Sequence, residues 1–186
     1  MKKGNNRFAF IFACLFIFFS MSTKISATDV TSHVHIFPNK PMLGTALAQH
    51  IADISEAAIQ ARGRVLVAIS GGSLPSILAS GLLNDDGTSN VSIDWDKWHT
   101  FFADERIVPL DHDDSNFKGC NEVLFSKVSS SEFFQNQIYS IGNDNEAKDP
   151  SQVAAEYQVR VEEQLKLSDG KFDLILLGML RPFVGP

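Results

Sequence analysis

The sequence predicts an α/β protein built on a mostly parallel sheet with helices on both faces. Three observations carry that expectation. Val65-Leu66-Val67-Ala68-Ile69 and Leu174-Ile175-Leu176-Leu177 are continuous apolar runs, which is how strands buried on both faces read. Between such runs lie segments whose apolar residues recur at helical spacing. No internal repeat or linker breaks the alternation, and 186 residues suit about one domain with a sizeable core.

Taken in order, Met1 to Arg7 is basic, Phe8 to Phe19 is apolar and Phe-rich, and small and polar residues follow to Ala27. A run of that length is too short to span a bilayer comfortably and has the layout of a secretory signal. A plastid transit peptide and an extension upstream of a working start at Met21 are the alternatives. The location expected from a Met21 start is the cytosol. Entry into the secretory pathway would instead predict a glycan on Asn90 of Asn90-Val91-Ser92. The domain proper is then expected over 28–186, without stable membrane association once residues 1–27 are removed.

His33-Val34-His35-Ile36-Phe37 alternates and breaks at Pro38, predicting a first strand. Leu43, Leu47, Ile51, Ile54 and Ala58 recur at helical spacing, predicting a helix over Lys40 to Arg62 that Gly63 ends. The Val65–Ile69 strand runs into Ser70-Gly71-Gly72-Ser73 and a helix from Leu74 to Leu83, with Pro75 in its first turn where proline is tolerated. Asn84 to Ser89 has loop composition. Trp95 and Trp98 suit packing, and Trp98 to Phe102 reads as a second strand. Ser115-Asn116 caps a helix through Phe117, Cys120, Val123 and Leu124. Gln137 to Ile141 is a short strand. Asp149-Pro150-Ser151 opens a helix carrying Val153, Ala154, Tyr157, Val161 and Leu165, which Asp169-Gly170 closes before a doubly buried strand over Phe172 to Gly178.

Composition narrows the function. The formal net charge is −6, and residues 1–27 hold four bases and no acid, leaving 12 basic against 22 acidic residues in the body. An acidic body argues against nucleic acid as a partner. A phosphorylated ligand would need a locally placed arginine and backbone donors. Cys14 lies in the apolar N-terminal run and Cys120 in the body, so no intrachain disulfide is possible once that run is gone. Asp111, His112, Asp113 and Asp114 lack the spacing of a metal site and read as a solvated loop. No metal and no cofactor is expected.

Two stretches carry candidate chemistry. A glycine turn leading into a helix N-terminus presents converging N–H groups to an anion, phosphate above all; a ligand-free turn is the alternative. Gly71-Gly72 lacks the third glycine of a dinucleotide site. Asp104, Glu105 and Arg106 stand at the carboxyl end of a strand, where open α/β sheets bind ligands. They need partners, either each other or a ligand.

Together, Ser70-Gly71-Gly72-Ser73-Leu74-Pro75, the Trp98–Phe102 strand running into Asp104-Glu105-Arg106-Ile107-Val108-Pro109, Ser115-Asn116, and Phe172-Asp173-Leu174-Ile175-Leu176-Leu177-Gly178-Met179 resemble the 6-phosphogluconolactonases of the wider sugar-phosphate isomerase and lactonase family. The resemblance covers roughly His33 to Met179. It implies a Rossmann-like sheet and hydrolysis of 6-phospho-D-glucono-1,5-lactone to 6-phosphogluconate in the oxidative pentose phosphate pathway. It also implies that Gly71, Gly72, Ser73 and Arg106 handle the phosphate and nearby hydroxyls of a phosphorylated sugar lactone, with Asp104 and Asn116 shaping the pocket. The family continues past this strand with a glycine-rich Asp-Gly-His segment whose histidine acts as base on water. Here Met179 is followed by Leu180-Arg181-Pro182-Phe183-Val184-Gly185-Pro186.

That departure predicts a partial domain, incomplete at its C-terminus, with an exposed sheet edge and core face. The catalytic base is left unassigned, since none of His33, His35, His50, His99 and His112 follows that strand. General-base help is typically worth about 10² to 10⁴ in rate, so poor turnover is expected while binding survives. The rival readings are a non-catalytic sugar-phosphate-binding isoform and a glucosamine-6-phosphate deaminase or isomerase. The deaminases usually carry an aromatic residue where Arg106 stands.

Overall fold

The computed structural model describes residues 34–128, 136–142 and 148–178. The signal-like segment 1–27, His33 and everything from Met179 onward lie outside the described residues.

Helix α1 spans Lys40–Arg62, opened by Asn39, whose side chain accepts from the Met42 N–H, and closed by Gly63 at φ 73°. Strand β1 (Val65–Ile69) follows, with all five residues buried. Helix α2 (Leu74–Leu82), strand β2 (Trp98–Phe102) and helix α3 (Asn116–Val123) come next. Strand β3 (Ile138–Tyr139), helix α4 (Pro150–Lys166) and strand β4 (Leu174–Leu176) complete the order. The four strands form one sheet in the order β3-β2-β1-β4, every pairing parallel. β1 aligns Val65 with Trp98 and Ile69 with Phe102 on one side, and Val67 with Leu174 on the other.

The alternation of side chains along β1 divides the core. Val65, Val67 and Ile69 pack with Ile51, Leu78, Leu82, Trp98 and Phe125 beneath α1, α2 and α3. Leu66 and Ala68 face the other way, with Phe101, Val161 and Leu165 of α4. Helices therefore cover both faces, and each buried Leu, Val or Ile adds about 1.5–3 kcal/mol. α1 and α2 approach closely because Gly81 has no side chain: a Cβ there would lie 2.1 Å from the Gly44 carbonyl oxygen.

Three expectations change. Val34–Phe37 forms no strand, and Val34 and Ile36 are 86% and 90% exposed; alternation alone makes no strand where no described edge pairs with it. β4 is half-buried rather than doubly buried. Leu174 and Leu176 pack inward, whereas Ile175 and Leu177 are 56% and 71% exposed. α4 covers the face at β1 and β2 and stops short of β4. The Gln137–Ile141 strand is also shorter than expected, with only Ile138–Tyr139 paired.

β4 is fixed to β1 by Asp173. Its Oδ2 accepts from the Leu66 N–H at 2.9 Å, its N–H donates to the Leu66 carbonyl at 3.0 Å, and Oδ1 pairs with Arg62. Asp173→Ala leaves Leu66 N–H and the largely buried guanidinium without that carboxylate. It is expected to cost about 3 kcal/mol in denaturant unfolding.

At the amino side of the sheet, His99 Nδ1 lies 3.0 Å from the Tyr139 hydroxyl. Burial, helped by the Arg64 guanidinium, pushes this imidazole down from 6.5 to about 4. The folded state thus holds it neutral while the unfolded chain protonates near 6.5. Its contribution to stability is complete above that value and is lost as pH falls toward about 4. Unfolding midpoints measured across this window should decline on acidification, and His99→Gln should flatten the decline.

Candidate functional site

The carboxyl ends of β1, β2 and β4 meet at one edge of the sheet, and three connections define it. β1 ends in Ser70, whose N–H donates to the Leu176 carbonyl at 3.0 Å and whose hydroxyl accepts from the Gly178 N–H at 2.7 Å. The glycine turn is thereby held against the end of β4. Gly72 has φ 74°, a left-handed conformation that glycine adopts without cost. Ser73 then opens α2 without making a side-chain capping hydrogen bond, and Pro75 occupies the first turn.

Gly71 answers a different constraint. A Cβ built on it would lie 1.8 Å from Asn116 Oδ1, so the Asn116 side chain occupies the space beside the glycine backbone. Asn116 Nδ2 donates to the Asp104 carbonyl at 2.8 Å and to Asp104 Oδ2 at 3.2 Å. Gly71, Asn116 and Asp104 are therefore in contact, although 45 positions separate the first two in sequence. Gly72 and Ser73 lie beside them in the turn, and Arg106 follows two positions after Asp104.

Two residues outside the six expected to handle the ligand hold this edge together. Glu105 is 9% exposed. Its Oε1 accepts from the N–H groups of Arg106 at 2.8 Å and Asn116 at 2.7 Å, and its Oε2 from Phe117 N–H at 2.8 Å. Burial pushes this carboxyl above its usual range, the three N–H groups pull it back, and the Asp104 charge adds to the push. Tyr157 of α4 uses its hydroxyl on the last residue of β2, accepting from Phe102 N–H at 2.7 Å and donating to Phe102 carbonyl at 3.1 Å. It had read only as an apolar helix position; the long-range pairing leaves no local sequence signal.

The other candidate groups do different work. Burial, with Glu105 and Asp104 nearby, pushes the Cys120 thiol up to about 12, so it stays protonated and is no nucleophile near neutral pH. His99 is the second residue of β2, at the amino side, where it lines a groove with Gly63, Arg64, Asp96, Lys97 and Gln137. His112, in the loop after β2, is exposed; its Nδ1 accepts from the Asp114 N–H at 3.0 Å and lies 3.8 Å from the Asp114 carboxylate. His50 sits in α1. A shallow groove of about 680 Å³ beside the edge is lined by Pro109, Leu110, Asp111, Phe117, Lys118, Asn121 and Glu122, adjoining the six candidate residues without including them. No helix among the described residues is long and apolar enough to cross a membrane.

The chain is similar to several known proteins. A Schizosaccharomyces pombe protein named "Probable 6-phosphogluconolactonase" is 37% identical over 152 residues, covering 78% of this chain and 56% of that protein. "6-phosphogluconolactonase 3, chloroplastic" of Arabidopsis thaliana is 35% identical over 169 residues, covering 86% of this chain and 49% of that protein. The crystal structure of a 6-phosphogluconolactonase from Shewanella baltica superposes with a TM-score of 0.55 at 27% identity, over 77% of this chain and 55% of that one. The chain thus spans about half the length of the curated relatives it matches. The family model for glucosamine-6-phosphate isomerases and 6-phosphogluconolactonases matches residues 38–179, most of the chain, and the chain belongs to that family.

Proposed function

We propose that this chain binds 6-phospho-D-glucono-1,5-lactone at the carboxyl edge of the sheet and that the reaction served is its hydrolysis to 6-phosphogluconate. The observation that carries the reading is the contrast between two helix N-termini at that edge. The first-turn donors of α3 are consumed by the Glu105 carboxylate. Those of α2 have no side-chain cap and sit behind Gly71-Gly72-Ser73. A phosphate ester supplies the charge and acceptors that α2 lacks, and Arg106 stands on the neighbouring strand end to pair with it. Asn116, which touches Gly71, and Asp104, to which it donates, suit the hydroxyls of the sugar ring. The relatives' names favour a lactone over an amino sugar as substrate.

Hydrolysis adds water to the lactone carbonyl, passes through an oxyanion and breaks the ring C–O bond. The described residues account for holding the substrate. Water activation is assigned to none of them, because His99 lies at the other side of the sheet and His112 is exposed. That same observation favours, as a second reading, a sugar-phosphate binder without turnover.

Hydrolysis of freshly generated lactone, read against its spontaneous rate, and calorimetric binding of 6-phosphogluconate separate the readings. Saturable binding with a rate above background supports the lactonase. Binding at background rate leaves the binder, and absence of binding removes both. Arg106→Ala should weaken binding by about tenfold or more, the worth of a charge-assisted hydrogen bond. Gly71→Ala forces Asn116 away and should weaken binding comparably while changing the unfolding midpoint less than Asp173→Ala.

A further inference from the structure

Building on the ligand site proposed above, we infer that Glu105 is its positioning residue: without touching the ligand, this buried carboxylate sets where Arg106 and Asn116 stand. The argument is geometric. Arg106 lies near the start of the thirteen-residue connection from β2 to α3, and Asn116, ten positions later, is the first residue of α3. One oxygen, Glu105 Oε1, accepts from the backbone N–H of both, at 2.8 and 2.7 Å. The other, Oε2, accepts from Phe117 N–H at 2.8 Å and lies 3.5 Å from the Ser115 hydroxyl. The carboxylate therefore closes the connection into a loop and docks it on the first turn of α3.

Asn116 then reaches in two directions, donating to Asp104 and filling the space beside Gly71. Any shift of its backbone moves the contact between the two strand ends. Charge matters as well as shape. Three N–H groups converge on Glu105, and a carboxylate is an acceptor only, so every lone pair aimed at them is usable. An amide in its place turns one oxygen into a donor facing a donor. The negative charge also sits at the N-terminal end of α3, where the helix dipole favours it. An external anion is thereby excluded from α3 and left to α2. Asp104, Cys120 and Tyr157 are the titratable groups whose charges couple to Glu105.

The test compares the wild-type chain with Glu105→Gln, using Asp173→Ala as a control that destabilises a distant part of the sheet. Binding of 6-phosphogluconate and amide exchange at Arg106, Asn116 and Phe117 are read on folded protein. Support is a Kd at least about tenfold weaker in Glu105→Gln, with faster exchange at those three amides, while Asp173→Ala keeps the wild-type Kd despite its lower unfolding midpoint. An unchanged Kd in Glu105→Gln overturns the inference, as does an equal loss in Asp173→Ala, which would mark a stability effect only. If the wild type binds no 6-phosphogluconate, the proposed function falls by itself. The exchange data then decide the positioning claim: unchanged exchange at the three amides overturns it, and faster exchange upholds it.

Discussion

A strand with a neighbour on each side and helices on both faces has no water to satisfy it, so its backbone must be paired along its whole length. β1 is that strand. Its five residues are between 0% and 6% exposed, and it pairs in parallel with both β2 and β4. Everything at the carboxyl edge follows from where this strand stops. Polar backbone can leave the sheet only at its end, and there Ser70 and the glycines begin. A parallel neighbour in fixed register brings the end of β2, and with it Asp104 to Arg106, to the same edge.

The register also explains why the site is assembled from distant pieces. Ile69 is opposite Phe102 and Leu176, so the chain leaves three strands at one level. Ser70 then bonds to Gly178, Asn116 to Asp104, and Tyr157 to Phe102. Each of these contacts replaces solvent on a backbone or side-chain group at a strand end. The buried Glu105 is the costliest group to place there, and its three N–H donors offset that cost.

The two ends of the sheet have separate chemistry. The amino side collects Arg64, Lys97 and His99 with the Tyr139 hydroxyl, and its imidazole is held neutral by burial. The carboxyl side gathers backbone donors, Arg106, and the carboxylates of Asp104 and Glu105, which accept from the Asn116 amide and from backbone N–H groups. For a chain with an acidic body, the anionic ligand proposed above would depend on a few groups rather than a general field. The α4 face of β4 differs: Ile175 and Leu177 remain exposed there because α4 packs over β1 and β2.

By itself the sequence determined the elements whose signals are local. β1 and α1 fall at the residues that their apolar run and helical periodicity mark, and Gly63, Ser115 and Asp149 cap helices as short-range chemistry demands. The glycine turn and the Asp-Glu-Arg strand end were legible for the same reason, and with Ser115-Asn116 and the Phe172–Met179 stretch they carried the resemblance to the family. Only the tertiary structure decided which long-range contacts join them. Val34–Phe37 alternates like a strand yet pairs with nothing described, and an apolar run reads alike whether one or both faces are covered, as β4 shows. Glu105 looked like one more charge beside a strand. Its place under Asn116 and Phe117 depends on how the loop folds back over about eleven residues, and pairing at that distance leaves no periodicity to read.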